Sequence, residues 1–184
     1  MMLFETPRLR IRPMKMTDLE AVYQHRKNPD TAKYIGPPAT RATAKARLEQ
    51  ACQNWQGRVD EKRILAIELK HSQLLIGELV FKYTSEDKKC GEIGFRLAAE
   101  QIGKGYGFEA ADALIQWLFN HTPIQVISAV CAKENVKSQQ LMCRLGMVCH
   151  DLQRSKLSLN GKLHDALVYN LKRGEANNAS PASA

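Results

Sequence analysis

Charged and apolar residues alternate as Arg-Leu-Arg-Ile-Arg over positions 8–12, the two-residue period of a half-exposed strand. Thr17-Asp18-Leu19-Glu20 fits a capping box and predicts a short helix to about Lys27. Pro29 and Gly36-Pro37-Pro38 punctuate a loop. From Thr40 to about Trp55 the pattern reads as a second helix, with Leu48, Ala51, Cys52 and Trp55 on one side. Arg63–Leu69 and Leu74–Tyr83 are strand-like and joined by Lys70-His71-Ser72-Gln73, which predicts a hairpin. After a polar turn at Ser85–Lys89, Glu92–Leu97 reads as another strand. A helix to about Asn120 then carries Phe108, Ala111, Leu114, Ile115, Leu118 and Phe119 at helical spacing. Pro123 breaks it, Ile124–Cys131 is a β-branched apolar strand, and Val136–Leu145 is a short helix stopped by Gly146. Val148–Leu159 and Lys162–Leu171 flank Asn160-Gly161, a strong hairpin signal.

The predicted order is β-α-α-β-β-β-α-β-α-β-β, an α/β (mixed) architecture with helices packed on a mixed sheet. At 184 residues the chain fits one domain with a short tail. The domain is placed at residues 1–173, and residues 174–184, GEANNASPASA, offer nothing large to bury and are expected to be disordered. No apolar run approaches the ~20 residues that span a bilayer. The N-terminal MMLFETPRLRIRP lacks a signal-peptide pattern, so a cytoplasmic protein is expected. Five cysteines, an odd number without C-x-x-C spacing, argue against a disulfide framework and a zinc ribbon. Free thiols in a reducing compartment are the simpler reading. The histidines show no H-x-x-x-H spacing, and no metal site is expected.

The formal net charge is +8, and residues 1–70 hold +6 of it, from 14 Lys and Arg against 8 Asp and Glu. Such a basic half favours acidic partners: a phosphorylated cofactor, RNA or an acidic protein.

Gly103-Lys104-Gly105-Tyr106-Gly107 sits between a strand and an amphipathic helix. Glycine lets backbone approach a ligand closely, and a helix start offers unpaired N–H groups and a positive dipole end. Together they suit a phosphate. The Walker pattern fails because Gly105 follows Gly103-Lys104 where Ser or Thr is needed. The dinucleotide fingerprint fails because the spacing is G-x-G-x-G.

Residues 102–107, Ile-Gly-Lys-Gly-Tyr-Gly, place Gly105 and Gly107 at the two later positions of Q/R-x-x-G-x-G/A. In this the chain resembles the GNAT-type, acetyl-CoA-dependent N-acetyltransferases, with Ile102 standing where Gln or Arg is usual. The resemblance covers about residues 6–172. Thr6-Pro7-Arg8-Leu9, Glu92-Ile93-Gly94-Phe95, Gly103-Lys104-Gly105-Tyr106, Glu134-Asn135-x-x-Ser138, Leu145-Gly146-Met147 and His164-Asp165 are similar to the RimJ/RimL-like subgroup, which acetylates ribosomal-protein N-termini.

The resemblance implies a central, mostly antiparallel twisted sheet, splayed where CoA enters. Acetyl-CoA would be the co-substrate, with no metal. Backbone amides of Ile102, Gly103, Lys104, Gly105, Tyr106 and Gly107 would hold the pyrophosphate. Phe95 and Leu97 would pair their backbone with the pantetheine arm, and an N–H near Leu97 would polarise the thioester carbonyl. Asn135 would contact pantetheine through its side-chain amide. Family members often carry Tyr seven residues after this Asn, but Met142 stands there and donates no proton. The thiol-facing role passes to Ser138, one helical turn before Met142; the alternative is a Ser that merely serves the helix start.

An attacking amine must be neutral, and a carboxylate can take its proton. Glu92 is the best placed, on the strand leading into the glycine loop; Glu78 and Asp165 are weaker candidates, and an α-amine can dispense with a base. No cysteine is expected in the site, so direct attack in a ternary complex is favoured over an acyl-enzyme. The expected acceptor is a primary amine, such as the N-terminal α-amine of a ribosomal or other protein. A small-molecule acetyltransferase acting on polyamines, aminoglycosides or amino acids, and a non-catalytic CoA-fold module binding RNA or protein, remain alternatives. No RNA-reading motif is present. Neither DNA nor a membrane is an expected partner, and a monomer or homodimer is expected.

Overall fold

The computed structural model describes residues 4–175, so Ala176–Ala184 of the expected tail lie outside the described residues. Eight strands form one sheet: β1 (Phe4–Glu5), β2 (Leu9–Pro13), β3 (Arg63–Leu69), β4 (Leu75–Tyr83), β5 (Cys90–Leu97), β6 (Val126–Ala132), β7 (Val148–Leu159) and β8 (Lys162–Lys172). The spatial order is β1-β2-β3-β4-β5-β6-β8-β7. Every neighbouring pair is antiparallel except β5 and β6. Parallel neighbours need a crossover, and helix α4 (Tyr106–His121) supplies it. The others are α1 (Leu19–Lys27), α2 (Pro29–Ala32), α3 (Arg41–Cys52) and α5 (Val136–Arg144).

β3 is buried on both faces, which its apolar run Ile64–Ile67 requires. On one face Leu65, Ile67, Leu79, Phe81 and Ile93 pack with Ala111, Leu114, Ile115 and Leu118 of α4. On the other, Ile64, Ala66 and Leu75 pack with Val22 of α1 and Ala44, Leu48 and Ala51 of α3. The sheet is thereby sandwiched, and β4 and β5 run through its middle.

Several local expectations shift. The box at the start of α1 is not built on Thr17 and Glu20. Instead Asp18 accepts from the Lys15 N–H at 2.8 Å and is gripped by both Nη atoms of buried Arg12 at 2.8 Å. Arg12 also donates to Glu68 at 2.6 Å. Burial pushes the Asp18 carboxyl up, but the Arg12 and Lys15 hydrogen bonds outweigh it and hold it below its usual range. α3 starts at Thr40, whose hydroxyl accepts from the Thr43 N–H, but it stops at Cys52, which is exposed. Trp55 lies beyond the helix, stacked on Tyr83 at 5.9 Å. The expected loop after Pro29 contains α2, capped by the Asn28 side chain. The final hairpin turns at Asn160 (φ +51°) and Gly161 (φ +76°), as Asn-Gly requires.

Candidate active site

β5 and β6 pair only from Cys90↔Val126 to Glu92↔Ser128. Beyond this point β5 stays with β4 as far as Leu97, and β6 stays with β8 as far as Ala132. The two strands therefore part after Glu92. The hydrogen-bond alternation shows what faces the gap. Ala98 donates to Ile76 at 2.8 Å and Thr84 donates to Cys90 at 3.0 Å. Even-numbered residues of β5 are thus bonded to β4, and odd-numbered ones turn their N–H and C=O away from it. Phe95 and Leu97 present a free strand edge to the gap.

At the Leu97 end of this edge lies the glycine segment. Gly103 and Gly105 adopt φ +85° and +81°, a left-handed conformation costly for residues with a Cβ. No side chain caps α4, which starts at Tyr106, so the N–H groups of its first turn have no acceptor within the helix. A Cβ at Gly107 would lie 3.5 Å from Leu97 and 3.4 Å from Leu141, so the helix start rests against the ends of β5 and α5. Ile102 is an exception among the expected amide donors. Its N–H is already bonded to the Ala99 carbonyl at 3.3 Å, and its side chain is exposed. The Lys104 ammonium donates to Gln101 at 3.2 Å.

Sequence reasoning missed Arg8 as part of this loop. Its Nη1 donates to the Lys104 carbonyl at 3.1 Å and its Nε to Glu109 at 2.6 Å, while its guanidinium stacks 4.5 Å from the Tyr106 ring. Thr6 also donates to Glu109, at 2.6 Å. The only signal was the Thr6-Pro7-Arg8-Leu9 segment, whose structural partners lie about a hundred residues away.

The parted strands open into a cleft of ≈ 330 Å³, lined by Glu92, Phe95, Asn135, Ser138 and Met142 among others. Gly103, Gly105 and Gly107 do not line it; the free edge of β5 joins the two. Glu92 stands at the point of parting with its side chain 36% exposed, 3.7 Å from the Lys82 ammonium. The Asn135 side-chain oxygen Oδ1 caps α5 by accepting from the Ser138 N–H at 3.3 Å. Asn135 is therefore the cap, and its amide nitrogen and the Ser138 hydroxyl are left for other partners. Met142 is buried in the core cluster that includes Leu145 and Met147.

One expectation needs correction: a cysteine does reach the site, because Cys131 on β6 lines the cleft. Burial, then neighbouring Cys149, pushes its thiol up to about 11. It is thus protonated near pH 7 and a poor nucleophile. Glu78 also lines the cleft but is unsuited to accept a proton. Arg26 grips both its oxygens at 2.7 and 2.9 Å, and Arg47 adds a contact at 3.2 Å. Burial pushes this carboxyl up, yet the two arginines outweigh it and hold it low. Asp165 lies outside the cleft lining and accepts from the Ser155 N–H at 3.0 Å.

Residues 8–148 match the Acetyltransferase (GNAT) domain family. The N-acetyltransferase YnaD of Bacillus subtilis is 32% identical over 144 residues, spanning 77% of this chain and 80% of its own. A GNAT-family acetyltransferase from Bacillus anthracis superposes with a TM-score of 0.84 at 24% identity, covering 93% of this chain and 98% of that one. RimL, a ribosomal L7/L12 alpha-N-protein acetyltransferase solved with coenzyme A, superposes with a TM-score of 0.82 at 18% identity, covering 93% and 98%.

Proposed function

Since the chain belongs to the GNAT family of acetyltransferases and its co-substrate is acetyl-CoA, we propose that its acceptor is the α-amine of a protein or peptide, attacking directly in a ternary complex. The observation that carries this reading is the free edge of β5, which joins an uncapped helix start at one end to a carboxylate-bearing cleft at the other. RimL, named for acetylating a protein α-amine, has the same fold and is consistent with a peptide acceptor.

The residues present suit acetyl-CoA. The N–H and C=O groups of Phe95 and Leu97 are turned to the gap where an amide-bearing arm can add as a strand. Gly103 to Gly107, tied down by Arg8, offer backbone N–H groups to phosphates. Asn135 keeps its amide nitrogen for the arm. When bound, acetyl-CoA supplies an acyl group already activated as a thioester.

The chain's own groups then manage protons. Glu92 takes the proton lost by the amine as its nitrogen bonds the acyl carbon and the carbon–sulfur bond breaks. An α-amine, with a pKa near 8, is far easier to deprotonate at neutral pH than a lysine amine near 10.4, so one half-exposed carboxylate suffices. Ser138 Oγ donates a hydrogen bond to the departing sulfur; the Leu97 N–H, five residues along β5 from Glu92 and so roughly 16 Å away at the rise of a strand, serves the pantetheine arm rather than the thioester carbonyl. Cys131, held protonated, takes no acyl group.

Thiol release from acetyl-CoA is to be followed with peptides bearing free or blocked N-termini, both substrates being varied. Turnover only with free N-termini and intersecting initial-rate lines are expected. Parallel lines, the mark of an acyl-enzyme, or equal turnover with blocked peptides would overturn the reading.

A further inference from the structure

On the face of the sheet that bears Glu92, β4 and β5 place Glu78 directly opposite Arg96. Arg26 of α1 and Arg47 of α3 converge on the same spot, and all four side chains line the cleft. Three guanidinium groups thus gather around one carboxylate. Both oxygens of Glu78 are taken by Arg26 and Arg47. Arg96 is left over. It is 8% exposed, and among the described residues its Nε has no hydrogen-bond partner and its one side-chain bond runs to Thr31 Oγ1 at 3.3 Å.

Buried charges are normally paired, and this chain pairs its other buried arginine in full. Arg12 is held by Asp18 and Glu68, both ionic and both within 2.8 Å. Arg96 is the exception, and it sits in the wall of the cleft where the acceptor enters. Burial, then the charge of Arg26, pushes its guanidinium down to about 10. It remains charged at neutral pH, in a positive field.

We propose that the acceptor carries an oxyanion a short way from its reactive amine, and that Arg96, flanked by Arg47, receives it. The inference rests on the reading that this cleft takes the acceptor amine, and it names the class of that acceptor. A planar guanidinium fork matches the two oxygens of a carboxylate or phosphate. The spacing selects the acceptor further. Glu92 and Arg96 lie on one face of β5 four residues apart, roughly 13 Å between Cα atoms at the rise of a strand. Gly94 between them adds no side chain, and the nearest atom to a Cβ there is that of Val80 at 3.8 Å. With roughly 3 Å of hydrogen bond at each end, about 7 Å remains between amine and oxyanion, the span from the amine of an extended peptide to its second or third side chain. The fitting acceptor is thus a chain end with Asp, Glu or phosphoserine at position 2 or 3, rather than a free amino acid whose two charges sit on one carbon.

The test uses saturating acetyl-CoA and matched peptides differing only as Asp against Asn, Glu against Gln, or phosphoserine against serine at positions 2 and 3. In the native protein the anionic member of at least one pair is expected to have a kcat/KM about tenfold higher, mainly through KM, which is about 1.4 kcal/mol. In Arg96→Gln and in Arg47→Gln that ratio falls to within about twofold. The pair that responds separates carboxylate from phosphate. Equal kcat/KM for anionic and neutral partners in the native protein would overturn the proposal while leaving peptide acetylation standing. Should Arg96→Gln fail to fold, the native comparison and Arg47→Gln decide alone. Should no peptide be acetylated, the acceptor reading falls, and the anion site is read by melting with CoA saturating. Inorganic phosphate then raises the Tm of the native protein more than that of Arg47→Gln, and equal shifts refute the site.

Discussion

Replacing Glu92 by Gln removes a charge and keeps the shape, and the structure separates its two consequences by size. Among the described residues the one ion pair of Glu92 is with Lys82 at 3.7 Å, and Lys82 keeps Asp60 at 2.8 Å when it is lost. A partly exposed pair this long contributes about 0–1 kcal/mol, so the urea midpoint of Glu92→Gln should barely move. General-base action contributes about 10²–10⁴-fold, which is about 2.7–5.4 kcal/mol of barrier. The variant should therefore lose at least two decades of rate at pH 7 with its fold and CoA affinity intact. The loss should shrink as pH rises past the α-amine pKa near 8, because a neutral amine no longer needs the carboxylate. The assay is thiol release at saturating acetyl-CoA across pH 6.5 to 9.5, roughly the span about that pKa, beside calorimetry with CoA and a urea melt. A native rate at pH 7 would remove Glu92 from the chemistry. A loss that stays constant with pH would show that Glu92 positions the acceptor rather than deprotonating it.

Ser138→Ala should slow turnover by roughly tenfold or less, since a thiolate already leaves readily, and by the same factor at every pH; a pH-dependent loss in rate assays would contradict the hydrogen-bond role. Gly105→Ala should destabilise by about 1–2 kcal/mol from its left-handed backbone, since the nearest neighbour of the new Cβ, Arg8 Nη2 at 3.3 Å, is a flexible tip. Gly105→Glu should abolish CoA binding by calorimetry, and unchanged affinity would detach the loop from the cofactor. Asp18 and Glu78 are both held below their usual range in the fold, so the unfolded chain binds more protons in acid. Their stabilisation is complete above the unfolded values near 4 and is lost as pH falls through the lower folded ones, which urea midpoints between about pH 6 and 2 should trace. Glu78→Gln should cost about 3–5 kcal/mol at pH 7 by leaving its arginines unmatched, and should flatten that acid slope.

Local chemistry was readable from residue order where a short stretch decides its own conformation. Asn160-Gly161 turns because both residues tolerate positive φ, and α4 forms because its apolar residues recur on one face and bury together. Gly103 and Gly105 take the left-handed conformations that their lack of a Cβ permits. Elements too short to show a period were not legible. The four residues of α2 carry less than two turns of pattern, and the end of α3 was placed too late because Trp55, apolar at a plausible spacing, packs on Tyr83 instead.

The site itself was legible only in part. Glu92, Phe95, Asn135 and Ser138 were named and do share one cleft, but the parting of β5 from β6 that creates it is a property of two strands more than thirty residues apart. Whether Ile102 keeps a free N–H depends on the turn it closes with Ala99, and whether Cys131 faces the cleft depends on how β6 sits between β5 and β8. Arg8 meets Glu109, and Arg26 and Arg47 meet Glu78, across stretches with no local relation. Residue order set periods, turns and the glycine loop, because steric limits on the backbone act between neighbours. Only the packed sheet decided which charges meet and which one, Arg96, is left without a carboxylate, because burial and ion pairing act through space and are blind to distance along the chain.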